Sequence, residues 1–136
     1  MSSEKVKVDP KEVGKETLTH AKISDSKAKI GEVGNIKNWK QLVEEAIRQS
    51  INKGRKDLVK NIVPNAKEGM DNDNPSRYLV EGTDISIISM DSNSCFSYAF
   101  KLAQELNMEL SIEFSWRDKE NSLHPGQKGI IEWEEN

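Results

Sequence analysis

Between Glu109 and Trp116 the chain alternates strictly. Glu109, Ser111, Glu113 and Ser115 are interleaved with Leu110, Ile112, Phe114 and Trp116. Only an extended strand turns every second side chain the same way, so this run predicts a strand with one buried and one polar face. Upstream, the period differs. Trp39, Leu42, Val43, Ala46, Ile47 and Ile51 recur at spacings of three and four, which places them on one side of a helix. Two such periods in one short chain predict an α+β fold, with helices packed on one face of a small, mainly antiparallel sheet.

The punctuation around these runs sets the order of elements. Asn38 is a candidate N-cap for the first helix, and Gly54 a candidate stop. Leu58, Val59, Ile62 and Val63 predict a second helix over about 55–63, ended by Pro64. The two form a helical hairpin. Asn65 to Ser76 reads as a loop. Tyr78–Val80 and Ile85–Met90 read as extended segments. Asp91 to Ser94 offer caps for a third helix, with Phe96, Ala99, Phe100, Ala103 and Leu106 as its stripe and Asn107 as its end. After a loop over 117–128, residues 129–134 read as a last strand, in a hairpin with the first-mentioned one. The expected order is α-α-β-α-β-β over one domain, residues 38–136. Residues 1–37 read as a flexible lysine-rich tail, with docking of about Leu18 to Ile30 as a short helix or edge strand as the alternative for part of it. Their apolar residues Val6, Val8, Val13, Leu18, Ile23, Ile30, Val33 and Ile36 are mostly isolated between charges, and Pro10, Gly14, Gly31 and Gly34 interrupt them.

Several chemistries are disfavoured. No apolar run approaches the ~18–20 residues of a membrane helix, and Met1 to Lys15 has no apolar centre of the secretory type. The expectation is a cytoplasmic protein with no membrane association. One cysteine in 136 residues excludes an intramolecular disulfide framework. No phosphate loop or dinucleotide fingerprint occurs, so no cofactor is expected. The two histidines, His20 and His124, are far apart, and no metal site is expected. Asp71-Asn72-Asp73-Asn74 resembles the start of an EF-hand calcium loop. The pattern then needs Gly at the sixth position and Glu at the twelfth, where Ser76 and Gly82 stand. It reads as a polar turn.

Charge is uneven. Residues 1–37 carry +2, residues 38–63 carry +3 and residues 64–136 carry −8. The acidic C-terminal part points to a small non-catalytic binding or regulatory protein, an adaptor or a toxin neutraliser, that engages a basic protein partner. Its candidate contact residues are Glu109 and Glu113 on the polar side of the strand, with Glu132, Trp133, Glu134 and Glu135. Oligomeric state is left open.

Two alternatives compete. Lys53, Arg55, Lys56 and Lys60 surround the turn of the helical hairpin, and with the lysine-rich tail they suit a nucleic-acid accessory protein. Ile30 to Ile36 also looks like the Gly-x-x-Gly loop of KH domains, which joins two helices and grips a nucleic-acid backbone. Here Ile36 comes one residue early and Glu32 stands where a basic residue is usual, so the preferred reading is a glycine linker. The second alternative is a thiol hydrolase or acyltransferase. Cys95 would sit in the first turn of a helix, where the dipole favours a thiolate. The order helix, strand, then His124 is similar to papain-like and transglutaminase-like cores. That resemblance would make Asp118, Glu120 or Glu132 the residue orienting the imidazole. Against it, a free cysteine is most often a small buried hydrophobe.

Overall fold

The computed structural model describes residues 5–14 and 16–134. Among the described residues there are three α-helices and two sheets. Helix α1 spans Trp39–Asn52, α2 Lys56–Ile62 and α3 Ser92–Leu106. The strands are β1 (Val6–Lys7), β2 (Ala21–Ile30), β3 (Lys67–Glu68), β4 (Arg77–Leu79), β5 (Ile85–Ile88), β6 (Leu110–Trp116) and β7 (Lys128–Trp133).

Local chemistry explains the helix ends. Asn38 Oδ1 accepts the Gln41 N–H at 2.8 Å and so satisfies one free donor of α1. Gly54, at φ +75°, turns the chain away and donates to Ile51 O at 2.9 Å. Asp91 Oδ1 caps α3 by accepting the Ser94 N–H at 3.0 Å, and Asn107 ends it in the left-handed conformation.

The larger sheet has the order β1-β7-β6-β2. β6 is antiparallel to both neighbours, and β1 runs parallel to β7. The inner face of β6 presents Leu110, Ile112, Phe114 and Trp116, all buried. α1 and α3 cover it. Trp39 packs edge-on to Phe96 and Phe114, and Phe114 edge-on to Trp116. Gly129 lets β7 cross these rings. A Cβ there would lie 2.6 Å from Phe114 and 2.9 Å from Trp116. The smaller sheet has the order β3-β5-β4. Ile85 and Ile87 join the same buried cluster as Val59, Val63 and Val80.

Two expectations need correction. A single sheet was expected, yet β4 and β5 form a separate one. The reason is that β3 and β4 occupy both edges of β5, which leaves it no edge for β6. The second correction concerns the segment before Asn38. β2 is a ten-residue strand paired with β6, and Leu18, Ile23, Ala28, Ile30 and Ile36 are core residues. Residues 17–19 are stitched to distant chain. Leu18 N–H donates to Asn93 Oδ1 at 2.7 Å, Ser92 Oγ donates to Leu18 O at 2.8 Å, and the Trp116 indole donates to Thr17 O at 2.8 Å. Burying one leucine contributes about 2 kcal/mol, and these bonds leave no buried backbone group of Leu18 unpaired. The Gly31–Gly34 turn joins β2 to α1, not two helices, and Ile30 and Val33 bridge across it.

A buried guanidinium fixes the smaller sheet. Arg77, with a side chain only 1 % exposed, grips Asp73 through two bonds of 2.6 and 3.1 Å. Its Nη1 also donates to Asn65 O and to Ser86 Oγ and O. Lys67 bridges Asp71 and Asp73. The acidic turn that resembles a calcium loop is thus occupied by the chain's own cations.

Candidate functional site

The catalytic candidates do not assemble. Cys95 is 2 % exposed, and its Sγ lies 3.7 Å from Met90 O. Burial pushes its thiol up to about 12, and the negative charges of Asp91 and Glu44 add to the shift. The helix dipole does not offset this, so at neutral pH the sulfur is a protonated, poor nucleophile. His124 packs edge-on against Trp116, with ring centroids 4.9 Å apart, in the loop between β6 and β7. Asp118 lies under Gly126 in that loop, and Glu132 sits on β7.

The acidic candidates divide. Pairing puts Glu132 opposite Ser111 and Trp133 opposite buried Leu110, so they face opposite sides of the sheet. Trp133 is half-buried, edge-on to Phe100 at 5.7 Å. Glu134 is exposed beyond the strand, and Glu135 lies outside the described residues. Glu109 is 4.0 Å from Lys29 Nζ. Glu113 is 2.7 Å from Lys5 Nζ. That hydrogen bond, with the fields of Lys5, Lys27 and Lys128, holds its carboxyl below its ordinary value.

The hairpin cations are engaged within the chain. Arg55 pairs with Asp57 at 3.2 Å, Lys56 with Asp84 at 2.8 Å and Glu68 at 3.4 Å, and Lys60 with Glu68 at 3.8 Å. Of the four, Lys53 alone has no carboxylate within 4 Å among the described residues.

A second cluster, of which only Glu113 was singled out by the sequence, lies on the larger sheet. On the outer face of the larger sheet, Lys5, Lys22, Lys27, Lys37 and Lys128 line one open depression of about 610 Å³. Ser24, Ser26 and Ser115 contribute to the same wall, and Asp25 and Glu113 are its carboxylates. Five cations against two anions leave it at +3, in a chain whose net charge is −3. Among the described residues, Lys22, Lys27, Lys37 and Lys128 have no carboxylate within 4 Å.

A bulge shapes this depression. Ile23 pairs with Phe114 and Ala28 with Ile112, so the four residues 24–27 of β2 stand against the single residue Glu113 of β6, three more than a regular ladder holds. Asp25 and Ser26 are consecutive and both left-handed, at φ 45° and 60°. That conformation costs an L-residue roughly 1 kcal/mol, and bulges of this kind re-aim side chains at sheet edges. The signal was present in two alternating runs, Ala21-Lys22-Ile23-Ser24 and Lys27-Ala28-Lys29-Ile30, with the left-handed pair between them.

Among the described residues no group of three or more His, Cys, Asp or Glu side chains is placed to hold a metal ion. No helix there is long and apolar enough to cross a membrane. The chain matches no protein-family model, no curated protein and no solved structure.

Proposed function

We propose that the chain is a non-catalytic binding protein whose working surface is the outer face of the β1-β7-β6-β2 sheet, and that it recognises an anionic partner or ligand there. One observation carries this reading: four lysines that have no carboxylate within 4 Å among the described residues converge, with Lys5, on a single concave site. Ammonium groups held near one another repel, and an anion placed between them relieves that repulsion. The paired cations of the helical hairpin have no such unmet demand.

The reading reverses the role of the acids on this face. If Glu109 and Glu113 were the contacts for a basic partner, Glu109→Lys with Glu113→Lys would abolish binding. If the lysines are the contacts, the same change strengthens it. The test is capture from cell lysate by the wild-type chain, by that variant and by Lys22→Glu/Lys128→Glu. The expected result is an anionic species retained by the first two and lost by the third. Loss in the acidic-residue variant and retention in the lysine variant would reject the proposal.

A further inference from the structure

Resting on that reading of the outer sheet face, we infer that the depression around the β2 bulge binds a compact, soluble molecule carrying two or more phosphate groups. Three observations select this class among anions.

The donors come first. All five cations at the site are lysines, while Arg48, Arg55 and Arg77 are each paired with a carboxylate elsewhere. Arginine presents a planar fork that fits carboxylate and phosphate alike, whereas lysine is a compact charge with three donors that approaches a tetrahedral oxyanion from any side. The hydroxyls of Ser24, Ser26 and Ser115 add short donors at the same wall.

Size and surroundings come second. A volume of about 610 Å³ falls in the usual range for small-molecule sites. A nucleic-acid strand would need a longer basic track and exposed rings for its bases to stack on. The only aromatic residue at this site is Phe114, which is fully buried. The exposed large apolar residues, Val33, Met70, Leu79 and Leu123, all lie outside the depression, so nothing there would enter a lipid surface.

Charge balance comes third. A site at +3 attracts anions in general, and cations gathered around one depression favour several negative charges concentrated on one ligand over the same charges dispersed. Lys5, bonded to Glu113, stands at the same wall as the four lysines that meet no carboxylate among the described residues. A polyphosphate would therefore meet ammonium groups from β2, β7 and both the segments preceding β1 and α1.

Isothermal titration of the full chain at low salt with sodium tripolyphosphate, orthophosphate, citrate, a polyglutamate peptide and a single-stranded oligonucleotide, beside co-sedimentation with phosphatidylcholine vesicles containing phosphatidylinositol bisphosphate, tests this. Tripolyphosphate should bind at least about tenfold more tightly than orthophosphate or citrate. Lys22→Gln and Lys128→Gln should each weaken it about tenfold, with an unchanged urea midpoint, and Lys56→Gln/Lys60→Gln should leave it unchanged. Citrate binding as tightly as tripolyphosphate would overturn the phosphate assignment while keeping the anionic face. Binding of only the peptide or oligonucleotide, lost in Lys22→Gln, would do the same. So would binding only to phosphatidylcholine vesicles containing phosphatidylinositol bisphosphate. If none of these probes binds, both the inference and the proposed working surface fall.

Discussion

Two basic regions of this molecule differ in what their charges are doing. Around the α1–α2 turn, Arg55, Lys56 and Lys60 each meet a carboxylate of the same chain within 3.8 Å. Around the β2 bulge, four of five lysines meet none among the described residues. Both regions are rich in lysine when charge is counted along the sequence. Folding neutralises the first by bringing Glu68 and Asp84 to it from the smaller sheet. It concentrates the second by laying β2 and β7 on either side of β6. What attracts a partner is the charge left over after the chain has paired with itself.

The largest expected effect tests the self-paired side at its most buried point. Arg77→Ala removes a guanidinium bonded to Asp73, Asn65 and Ser86, and should cost about 3–5 kcal/mol in urea unfolding. A loss below about 1 kcal/mol would mean that this network behaves as an ordinary surface pair. Next, Lys22→Gln/Lys128→Gln should abolish anion binding while leaving stability within about 0.5 kcal/mol of the wild type. A large stability loss would place these lysines on the self-paired side as well. Glu113→Gln removes the anion at the centre of the unpaired cluster. It should tighten anion binding about threefold, the value of one unit charge at several ångströms in water.

The pH dependence sharpens the same contrast. The Arg77 guanidinium, with help from Lys67, holds the Asp73 carboxyl down at about 2, against an ordinary value of 3.8. A depressed folded value means that the contribution is complete above the unfolded value and is lost as pH falls through the folded one. The wild type should therefore lose stability between about pH 4 and pH 2. Asp73→Asn should be weaker at neutral pH and flatter across that window, as read by urea midpoints at each pH. The smallest effect is expected for Lys56→Gln/Lys60→Gln, a slight loss of stability that added salt erases.

The contrast also explains what was legible beforehand. The three helices, the β6–β7 hairpin and their caps could be read because Asn38, Gly54, Asp91 and Asn107 act locally, and each performs the expected task. β2 could not be read in the same way. Its inward residues are Ile23, Ala28 and Ile30, and the extra residues of the bulge break the two-residue period exactly where a strand needs it. An edge strand over about Leu18 to Ile30 was one of two alternatives, but without its register Lys22 and Lys27 could not be placed on a sheet face, and the candidate site stayed hidden. Charge pairing across the chain was equally hidden, because Lys56 and Asp84 are distant in sequence.

The lone thiol has a use that follows from its burial. Cys95 is buried in the first turn of α3, and burial pushes its thiol up to about 12. An alkylating reagent at mild alkaline pH can reach a reactive sulfur only in molecules that have opened. Labelling speed, divided by that of an unstructured thiol, therefore reads the equilibrium between closed and open forms directly. The protein carries its own built-in gauge of breathing, at a single position, with no introduced probe. Comparing that gauge with and without tripolyphosphate would show whether occupancy of the sheet's far side is felt in the core.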